Sequence, residues 1–441
     1  MYPSSPEYPL QGIATERVIT PARNIAGSLS LPGDKSISHR YALLGGLAEG
    51  TTKLTNFSTG ADCASSLGCV AALGARVTRQ GTDVEIAGVG GQFHPSADPL
   101  DCGNSGSTMR MLSGLLAAQS GRFTLVGDAS LSRRPMERIR KPLTQMGARM
   151  ELTEGHAPIT IHGGPLQGLD YTTPIPSAQV KTALLFAGMQ AQGITTVHES
   201  VRTRDHGELA LRAFGVELTR SLDAVSVAGG QQLKAIEAQV PGDISSAAFF
   251  LCAASLFPGS NLIFDGLGLN PTRATLLDVL TALGAHIGVL NLEDKNGELI
   301  GTVQVNAPAA GLGGTTISGA LAAQLIDELP VLAAIAPYTQ NGIRIRDAKE
   351  LRVKESDRIA LVAANLRAMG AEVQEFEDGL DVAGGQQLHG AEIDSGGDHR
   401  IAMAFSVAAL RAEGQTLIRG AESAAISFPE FFDLLERVAE R

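Results

Sequence analysis

The sequence predicts a two-lobed α/β protein assembled from six repeated units, with helices buried behind solvent-facing sheets. Three observations lead to this prediction. A glycine-ended helix followed by a β-hairpin recurs five times, a second glycine-ended helix lies upstream of it six times, and the pattern breaks once near its midpoint. Because the repetition covers almost the whole chain, it determines the predicted architecture.

The motif that recurs five times reads apolar-x-x-apolar-Gly-Ala/Val-x-apolar. Its apolar pairs have the i, i+3 spacing of a helix, and glycine is the usual residue at a helix C-terminus. Alternating runs such as VEIAG and ITIHG follow each glycine after a polar turn, which predicts a β-hairpin. The glycines of the motif are Gly74, Gly147, Gly215, Gly284 and Gly370.

An upstream helix in each unit also ends at a glycine, and a short β-rich run such as TTKLTNF or RFTLVG follows it. The unit therefore reads helix, strand, helix, hairpin, and the sixth copy is truncated. The upstream glycines are Gly50, Gly121, Gly193, Gly259, Gly342 and Gly414.

The pattern breaks at Val240-Pro241-Gly242, where a Pro-Gly pair interrupts it. Three units lie on each side, so we expect two lobes joined by a hinge. The leading strand around Ser28 to Leu31 could pair with either lobe on the sequence alone.

Composition excludes several classes of protein. The chain has 441 residues, 44% hydrophobic and 18% charged, which is typical of a folded globular protein. Its 35 basic and 46 acidic side chains give a net charge of −11, so we expect no general nucleic-acid binding. The most apolar stretch, 247–257, is shorter than the roughly 20 residues that span a bilayer, so we expect no membrane insertion.

Cellular location is predicted from the cysteines and the N-terminus. The four cysteines form no CxxC pair or zinc-spaced cluster, which favours buried free thiols in a reducing compartment. Residues 1–12 show neither a signal-peptide nor a transit-peptide pattern. We therefore expect a cytoplasmic protein.

Polar loops precede the first helix of each unit and are rich in groups that hold small anions. A helix N-terminus offers free N–H groups and a partial positive charge, so six such termini predict an anion-binding cleft between the lobes. Ordinary capping explains any one loop, and GDISS, which has no base, is expected to be a cap only. The loops are GDKSISHR, GNSGSTMR, SAQVK, GDISS, LIDELP and GDHR, with full charges on Lys35, Arg40, Arg110, Lys181 and Arg400.

Two acids, Asp327 and Glu355, lie among these basic segments and are candidates for proton transfer, although structural ion pairing is the commoner explanation for any one such acid. The basic cluster 352–358, which contains Arg352, Lys354, Glu355 and Arg358, has a pattern that is also typical of a solvated helix start. Gly33-Asp34-Lys35-Ser36 lacks the order of a phosphate-binding P-loop, and GxGxxG, HExxH and kinase motifs are missing. We expect no cofactor and no metal.

The loop sequences together resemble those of the 5-enolpyruvylshikimate-3-phosphate (EPSP) synthase family. The resemblance spans all six units and implies an inverse α/β barrel of βαβαββ units. It assigns 1–33 with 241–441 to lobe 1 and 34–240 to lobe 2, with the active site in the cleft between them. The matching segments are LPGDKSISHR, GNSGSTMR, SRRP, SAQVK, TRDH, IDELP, LRVKESDR and GDHRIAMAF.

The activity that the resemblance implies is transfer of the enolpyruvyl group of phosphoenolpyruvate to the 5-hydroxyl of shikimate 3-phosphate, with release of phosphate. This is a step of aromatic amino-acid biosynthesis. Both substrates are small anions and suit a basic cleft; no nucleic acid or membrane is involved, and we expect a monomer. The resemblance also implies inhibition by glyphosate at the phosphoenolpyruvate site, where Gly106 would set the fit.

The resemblance also assigns site residues. It implies that Asp327 takes the hydroxyl proton, that either Lys354 or Glu355 protonates the methylene carbon, and that Lys35 completes the catalytic set. The residues implied for shikimate 3-phosphate are Lys35, Ser36, Arg40, Ser177, Ala178, Gln179, Lys181, Arg204, Asp327 and Lys354. Those implied for phosphoenolpyruvate are Lys35, Asn104, Gly106, Arg134, Gln179, Glu355, Arg358 and Arg400.

Departures from the family pattern indicate a subgroup. Ala178 replaces a second serine, and Ile426 stands where many members have a lysine near the C-terminus; both resemble the bacterial branch called class II. Ser107 replaces the usual threonine and keeps the hydroxyl.

Two other enzyme classes and a non-catalytic repeat scaffold are the alternatives. UDP-N-acetylglucosamine enolpyruvyl transferase shares the repeats but uses a loop cysteine, and this chain has no cysteine between Val126 and Arg138. RNA-terminal phosphate cyclases use similar folding units. Neither the cyclase nor the scaffold explains why Lys35, Asp327 and Glu355 occur in their family contexts.

Overall fold

The structure, a computed structural model, describes residues 15–441. The segment 1–12, on which the leader-peptide prediction rests, lies outside these residues. The α-helices are α1 (Lys35–Leu47), α2 (Ala61–Ala72), α3 (Gly106–Ala117), α4 (Glu137–Gln145), α5 (Ala178–Gly188), α6 (His206–Ala213), α7 (Ile244–Ser255), α8 (Thr275–Ala282), α9 (Gly319–Gln324), α10 (Leu329–Ile335), α11 (Arg358–Ala368), α12 (His399–Ala409) and α13 (Phe431–Val438).

Short strands alternate with these helices along the chain. They are β1 (Glu16–Ile19), β2 (Asn24–Ser30), β3 (Thr51–Thr55), β4 (Arg76–Gln80), β5 (Asp83–Ala87), β6 (Leu100–Asp101), β7 (Gly121–Val126), β8 (Arg149–Thr153), β9 (His156–Gly163), β10 (Asp170–Thr172), β11 (Ile194–His198), β12 (Leu218–Arg220), β13 (Ala224–Ala228), β14 (Glu237–Gln239), β15 (Asn261–Gly268), β16 (His286–Lys295), β17 (Glu298–Asn306), β18 (Thr315–Ile317), β19 (Ile343–Ile345), β20 (Val373–Phe376), β21 (Gly379–Val382), β22 (Glu392–Asp394), β23 (Thr416–Arg419) and β24 (Ala439–Glu440).

The strands of residues 15–441 form six small sheets, one for each predicted unit. Four sheets repeat one pattern, in which a short strand pairs in parallel with the strand after the first helix, and a hairpin extends the sheet antiparallel. The sheet β10-β11-β13-β12 shows this pattern. In the sheet β14-β3-β5-β4, the last strand of the third unit, β14, pairs with β3 of the first unit. The first three units are therefore linked in a ring, because the third returns to the sheet of the first.

Both series of glycines end helices as predicted. All eleven have a positive φ, between 75° and 140°, which side chains other than glycine rarely adopt. The alternating runs after them are the hairpin strands β5, β9, β13, β17 and β21.

The helices are buried and the sheets face solvent on one side. Every residue of α7 is buried, whereas β3 alternates between exposed and buried residues. This arrangement is the inverse of a doubly wound fold and confirms the predicted α/β class.

Buried apolar side chains form two separate clusters. One contains residues from Ile37 to Val240. The other combines Ile19 to Leu31 with residues from Ile244 to Val438. We call the elements around the first cluster lobe 2 and those around the second lobe 1. The leading strand β2 pairs in parallel with β15 and so belongs to lobe 1.

Two chain crossings connect the lobes and lie side by side. The backbone N–H of Asp34 donates to the carbonyl of Pro241 at 2.7 Å, and that of Asp243 donates to Pro32 at 3.0 Å. A Cβ at Gly33 would lie 1.8 Å from the backbone oxygen of Asn56, so only glycine fits there. The two backbone hydrogen bonds hold the crossings side by side.

All four cysteines are buried free thiols, as predicted. Within residues 15–441, every helix is too short or too polar to cross a bilayer.

Candidate active site

Capping side chains lie at the N-termini of the helices that follow the polar loops. Asp34, Ser105 and Ser177 accept hydrogen bonds from backbone N–H groups in the first turns of α1, α3 and α5. Asp243 caps α7, as expected for GDISS, but it also accepts from the backbone N–H of Lys35 at 3.2 Å. The GDISS loop therefore contacts the start of α1 in the other lobe.

Asp327 lies at the centre of a group of cations from both lobes. Its Oδ2 accepts from Nη2 of Arg204 in lobe 2 at 2.6 Å. Its Oδ1 lies 3.5 Å from Nζ of Lys354 and 3.6 Å from Nη1 of Arg358, both in lobe 1. Arg400 donates to the Asp327 backbone carbonyl at 2.6 Å. Burial would raise the pKa of Asp327, but Lys354, Arg204, Arg400 and Arg358 outweigh it and hold the pKa well below its ordinary value.

Glu355 is also held from both lobes. Its Oε2 accepts from Nη2 of Arg358 at 2.6 Å, and its Oε1 lies 3.5 Å from Nη1 of Arg134 in lobe 2. Ser130 of lobe 2 donates to its backbone carbonyl at 3.3 Å. Burial opposes ionisation, but Arg358 and Arg134 prevail and hold the pKa of Glu355 well below its usual range.

Arg358 is held in place by Asp398, the N-cap of α12. Two donors of the guanidinium bind this carboxylate at 2.8 Å and 3.2 Å. Arg358 is 1% exposed and Asp398 is not exposed at all. Burial lowers the pKa of Arg358, but Asp398 and Glu355 outweigh it and raise the pKa, so Arg358 is a permanent cation.

Lys35, the first residue of α1, is a further cation of the cluster. Its Nζ donates to Oδ2 of Asp62 at 2.9 Å. Burial and the nearby Arg400 lower the pKa of Lys35, but Asp62 and Glu355 outweigh them and the net shift is upward. The lysine therefore stays protonated close to Glu355 and Arg400.

Asn104, Gly106 and Arg134 form one wall of the cluster in lobe 2. Arg134 donates to the side-chain oxygen of Asn104 at 2.6 Å and to its backbone carbonyl at 3.2 Å. Gly106 is the first residue of α3, and a Cβ there would lie 2.9 Å from Nη1 of Arg110 and 3.4 Å from Nη1 of Arg134. The missing side chain lets two guanidinium groups approach the helix start.

Arg110 belongs to this wall, although the resemblance assigned it no ligand role. It donates to Oε1 of Gln179 at 2.7 Å, and Gln179 donates in turn to Ser107 at 2.9 Å. Burial, together with the like charges of Arg138 and Arg134, lowers the pKa of Arg110 to about 9. Its occurrence in GNSGSTMR was the signal that marked it as a cation.

His399 is a second residue without an assigned role. It is 1% exposed, and neither ring nitrogen has a hydrogen-bond partner within residues 15–441. Burial and the charge of Lys35 lower its pKa to about 3, so the imidazole is neutral. Its place in GDHR was the only sequence signal.

Three predicted or candidate cations are engaged elsewhere. Nζ of Lys181 is fully buried between Glu199 at 2.8 Å and Glu208 at 2.9 Å. Arg40 is 3% exposed and donates to the Ser36 carbonyl and the Thr182 hydroxyl. Arg352 pairs with Asp357 and Glu375. Ser36 and Ala178 lie in the first turns of α1 and α5.

The two-lobed fold and its group of buried cations define an enzyme that handles small anionic substrates. The profile of the family described as EPSP synthase (3-phosphoshikimate 1-carboxyvinyltransferase) matches residues 19–435. The chain is 65% identical over 424 residues to the 3-phosphoshikimate 1-carboxyvinyltransferase of Koribacter versatilis, which covers 96% of this chain and 99% of that protein. It is 54% identical to that of Solibacter usitatus, over 96% of this chain and 100% of that protein. The chain belongs to the EPSP synthase family.

A solved structure agrees with this assignment. The EPSP synthase from Acinetobacter baumannii superposes with a TM-score of 0.84 at 40% identity, over 96% of this chain and 98% of that one. The chain is therefore an enzyme of the shikimate pathway that transfers the enolpyruvyl group of phosphoenolpyruvate to shikimate 3-phosphate. These similarities favour this activity over the UDP-N-acetylglucosamine transferase, the phosphate cyclase and the scaffold.

Proposed function

We propose that the cations around Asp327 and Glu355 form the active site, in a cleft between a lobe of residues 1–33 with 241–441 and a lobe of residues 34–240. The observation that carries this proposal is that each acid contacts an arginine of the opposite lobe, Arg204 or Arg134. A substrate that replaces these contacts would touch both lobes at once.

Shikimate 3-phosphate is proposed to bind with its phosphate at the starts of α1 and α5, where the helix N-termini favour an anion and the hydroxyls of Ser36 and Ser177 could donate to it. Arg204 and Lys35 supply full charges. Lys181 is held by two glutamates, so we propose that it acts by fixing α5. The residues proposed to contact shikimate 3-phosphate directly, apart from Lys181, are Lys35, Ser36, Arg40, Ser177, Ala178, Gln179, Arg204, Asp327 and Lys354.

Phosphoenolpyruvate is proposed to bind between Arg134 of lobe 2 and Arg358 and Arg400 of lobe 1. Guanidinium groups grip carboxylate and phosphate oxygens in pairs, which suits a substrate that carries both groups. The remaining proposed contacts are Lys35, Asn104, Gly106, Gln179 and Glu355.

The proposed reaction begins when Asp327 takes the proton of the 5-hydroxyl group. The hydroxyl oxygen bonds to the central carbon of phosphoenolpyruvate while the methylene carbon accepts a proton, which gives a tetrahedral intermediate. That intermediate then loses a proton from the new methyl group and expels phosphate, which restores the carbon–carbon double bond and leaves an enol ether as the product. The arginines around Glu355 hold its pKa well below the usual range, and Nζ of Lys354 lies 3.5 Å from Oδ1 of the proposed base Asp327, so we propose Lys354 as the first proton donor.

The activity is tested by incubating the protein with phosphoenolpyruvate and either shikimate 3-phosphate or UDP-N-acetylglucosamine, and by following phosphate release. We expect phosphate release when shikimate 3-phosphate is the acceptor and none when UDP-N-acetylglucosamine is the acceptor. A crystal structure with shikimate 3-phosphate bound would test the site, and a phosphate group located away from α1 and α5 would contradict it.

We also propose that the protein is a cytoplasmic monomer. The four buried free thiols support a reducing compartment. Light scattering across a concentration series tests the oligomeric state, and cell fractionation tests the location.

A further inference from the structure

Five polar side chains join the two lobes beside the loop that carries Arg204. We call them the interlobe clamp: Asp205 and His206 from lobe 2, and Asn270, Thr272 and Glu298 from lobe 1. Four of them are nearly inaccessible, with exposed fractions of 7% for Asp205, 2% for His206, 3% for Asn270 and 2% for Glu298. Neither the family resemblance nor the proposed reaction gives any of them a role.

Hydrogen bonds cross between the lobes throughout the clamp. Nδ1 of His206 lies 2.6 Å from Oε1 of Glu298. The amide of Asn270 donates to Oδ1 of Asp205 at 2.9 Å and to Oε2 of Glu298 at 3.0 Å. One amide therefore joins the two carboxylates of the clamp and aligns them.

Thr272 binds the backbone as well as the side chain of Asp205. Its hydroxyl accepts from the Asp205 backbone N–H at 3.3 Å and lies 3.2 Å from Oδ1 of the same residue. Asn270 fixes Thr272 in turn, because its side-chain oxygen accepts from the Thr272 backbone N–H at 2.8 Å. Lobe 1 thus holds the main chain of lobe 2 at the residue that follows Arg204.

Asp205 is an anion in this arrangement. Its Oδ2 accepts from Arg202 at 2.9 Å and from Arg220 at 3.2 Å, both in its own lobe. Burial would raise the pKa of Asp205, but the bonds from Asn270 and Arg202 outweigh it and lower the pKa. Removing the partners from lobe 1 would leave a buried carboxylate with unmet hydrogen-bonding capacity, which is costly.

Arg204 lies in irregular backbone just before α6, where no helical hydrogen bonds fix it. Its guanidinium reaches Asp327 in lobe 1, and the next two residues are anchored on lobe 1 by the clamp. A side chain on such a loop has a fixed direction only if the adjacent backbone is fixed.

We propose that the interlobe clamp is a positioning device that places Arg204 for the phosphate of shikimate 3-phosphate when the lobes are together. The inference rests on the proposed function of Arg204 as a ligand of that phosphate. Without the clamp, the loop samples other positions, and the fraction of protein ready to bind falls with it. The clamp side chains do not touch the substrate.

The test compares Thr272→Val, which keeps shape and loses the hydroxyl, with Thr272→Ser, which keeps the hydroxyl. Thr281→Val is the matched control, because the Thr281 hydroxyl only donates to a carbonyl one turn earlier in α8. We expect Thr272→Val to raise the dissociation constant and KM for shikimate 3-phosphate about tenfold. The KM for phosphoenolpyruvate should change much less. Thr272→Ser should restore binding, and Thr281→Val should behave as wild type.

A double-mutant cycle separates positioning from a general effect on the fold. If the clamp acts through Arg204, Thr272→Val should have almost no effect on shikimate 3-phosphate binding in an Arg204→Ala background. Equal losses in both backgrounds, or equal changes in the KM of both substrates, would overturn the inference. Asn270→Ala in the same cycle gives a second measurement if Thr272→Val is poorly folded.

The Arg204→Ala variant distinguishes a failure of the clamp inference from a failure of the proposed ligand role. If Arg204→Ala itself binds shikimate 3-phosphate normally, the proposed ligand role of Arg204 fails and the inference fails with it. If Arg204→Ala binds weakly and the losses add, the ligand role stands and only the clamp inference fails.

Discussion

Nη2 of Arg204 lies 2.6 Å from Oδ2 of Asp327, although the two residues belong to different lobes. The proposed ligand of the substrate phosphate thus forms an ion pair with the proposed catalytic base. A phosphate group that draws Arg204 away would free one oxygen of Asp327 to accept a proton.

Asp327→Asn should lower kcat by about 100-fold or more, because the amide keeps the size of the side chain and cannot accept the proton. Shikimate 3-phosphate should still bind, since the cations around position 327 remain. Steady-state kinetics and calorimetry measure the two effects. Asp381→Asn is the control, because Asp381 pairs with Arg346 on the sheet of the fifth unit. Near-native turnover of Asp327→Asn would remove Asp327 from the mechanism.

Arg400→Ala should chiefly weaken the binding of phosphoenolpyruvate, because the bound anion loses a buried counter-charge. The KM for phosphoenolpyruvate should rise at least about tenfold. Arg400 is 6% exposed and lies 3.8 Å from Glu328. Arg419→Ala removes an exposed arginine that pairs with Glu16 and Glu392, and it should leave both KM values unchanged. Unchanged KM values for Arg400→Ala would refute its assignment.

The repeated fold could be predicted from the sequence because its signals are local. A glycine with positive φ at a helix end and an alternating strand after it depend on neighbouring residues only. The helix ends at Gly74 and Gly284 and the strands β5 and β17 follow directly from these patterns. The partner of the leading strand β2 could not be predicted, since pairing with β15 joins residues that are distant in sequence.

The site could be predicted only in part, for the same reason. Charged loops marked Lys35, Asp327 and Glu355, and the structure brings them together. The sequence could not show that Glu199 and Glu208 enclose Lys181, because the acids are separated from it in the chain and belong to no motif. Cross-lobe contacts such as Arg204 with Asp327 depend on how the two lobes meet.

Asp398→Asn should destabilise the protein by about 3 to 5 kcal/mol at pH 7, because Arg358 is left buried without its main counter-charge. Burial raises the pKa of Asp398, but Arg358 outweighs it and the net shift is downward from the ordinary value of 3.8. Asp398 therefore contributes stability above that value, and the contribution is lost as the pH falls through the lowered pKa. Urea unfolding measured from pH 7 to pH 3 checks this role. The difference in unfolding free energy between wild type and variant should shrink only at the acid end. A constant difference at every pH would contradict this role.

The lobes should close on ligand, because each contributes only part of the charge set and closure excludes water from the reacting groups. Nη1 of Arg138 in lobe 2 lies 2.8 Å from Oε1 of Glu350 in lobe 1, at a partly exposed position where the lobes meet. Small-angle scattering should show a smaller radius of gyration on saturation with shikimate 3-phosphate and glyphosate. A radius of gyration that stays fixed would rule out a hinged cleft.

Gly106→Ala should weaken inhibition by glyphosate, the inhibitor that the family resemblance implies for the phosphoenolpyruvate site. Gly106 is the first residue of α3 and has no positive φ, so the backbone itself tolerates alanine. The added methyl would lie 2.9 Å from a guanidinium nitrogen of Arg110 and 3.4 Å from one of Arg134. The Arg110 guanidinium would have to shift, the methyl would contact Arg134, and an inhibitor longer than the substrate would lose room first.

The expected size follows from overpacking, which costs about 1 to 3 kcal/mol, or roughly 5- to 150-fold in the inhibition constant. Steady-state inhibition of wild type and Gly106→Ala is compared at matched saturation with phosphoenolpyruvate. Gly68→Ala is the control, since a Cβ at that position of α2 meets nothing within 4 Å. Because Arg134 is also a proposed substrate ligand, a modest rise in the KM for phosphoenolpyruvate is compatible with the steric argument. An unchanged or lower inhibition constant with a raised KM would mean that the methyl obstructs the substrate instead, and the argument would fail.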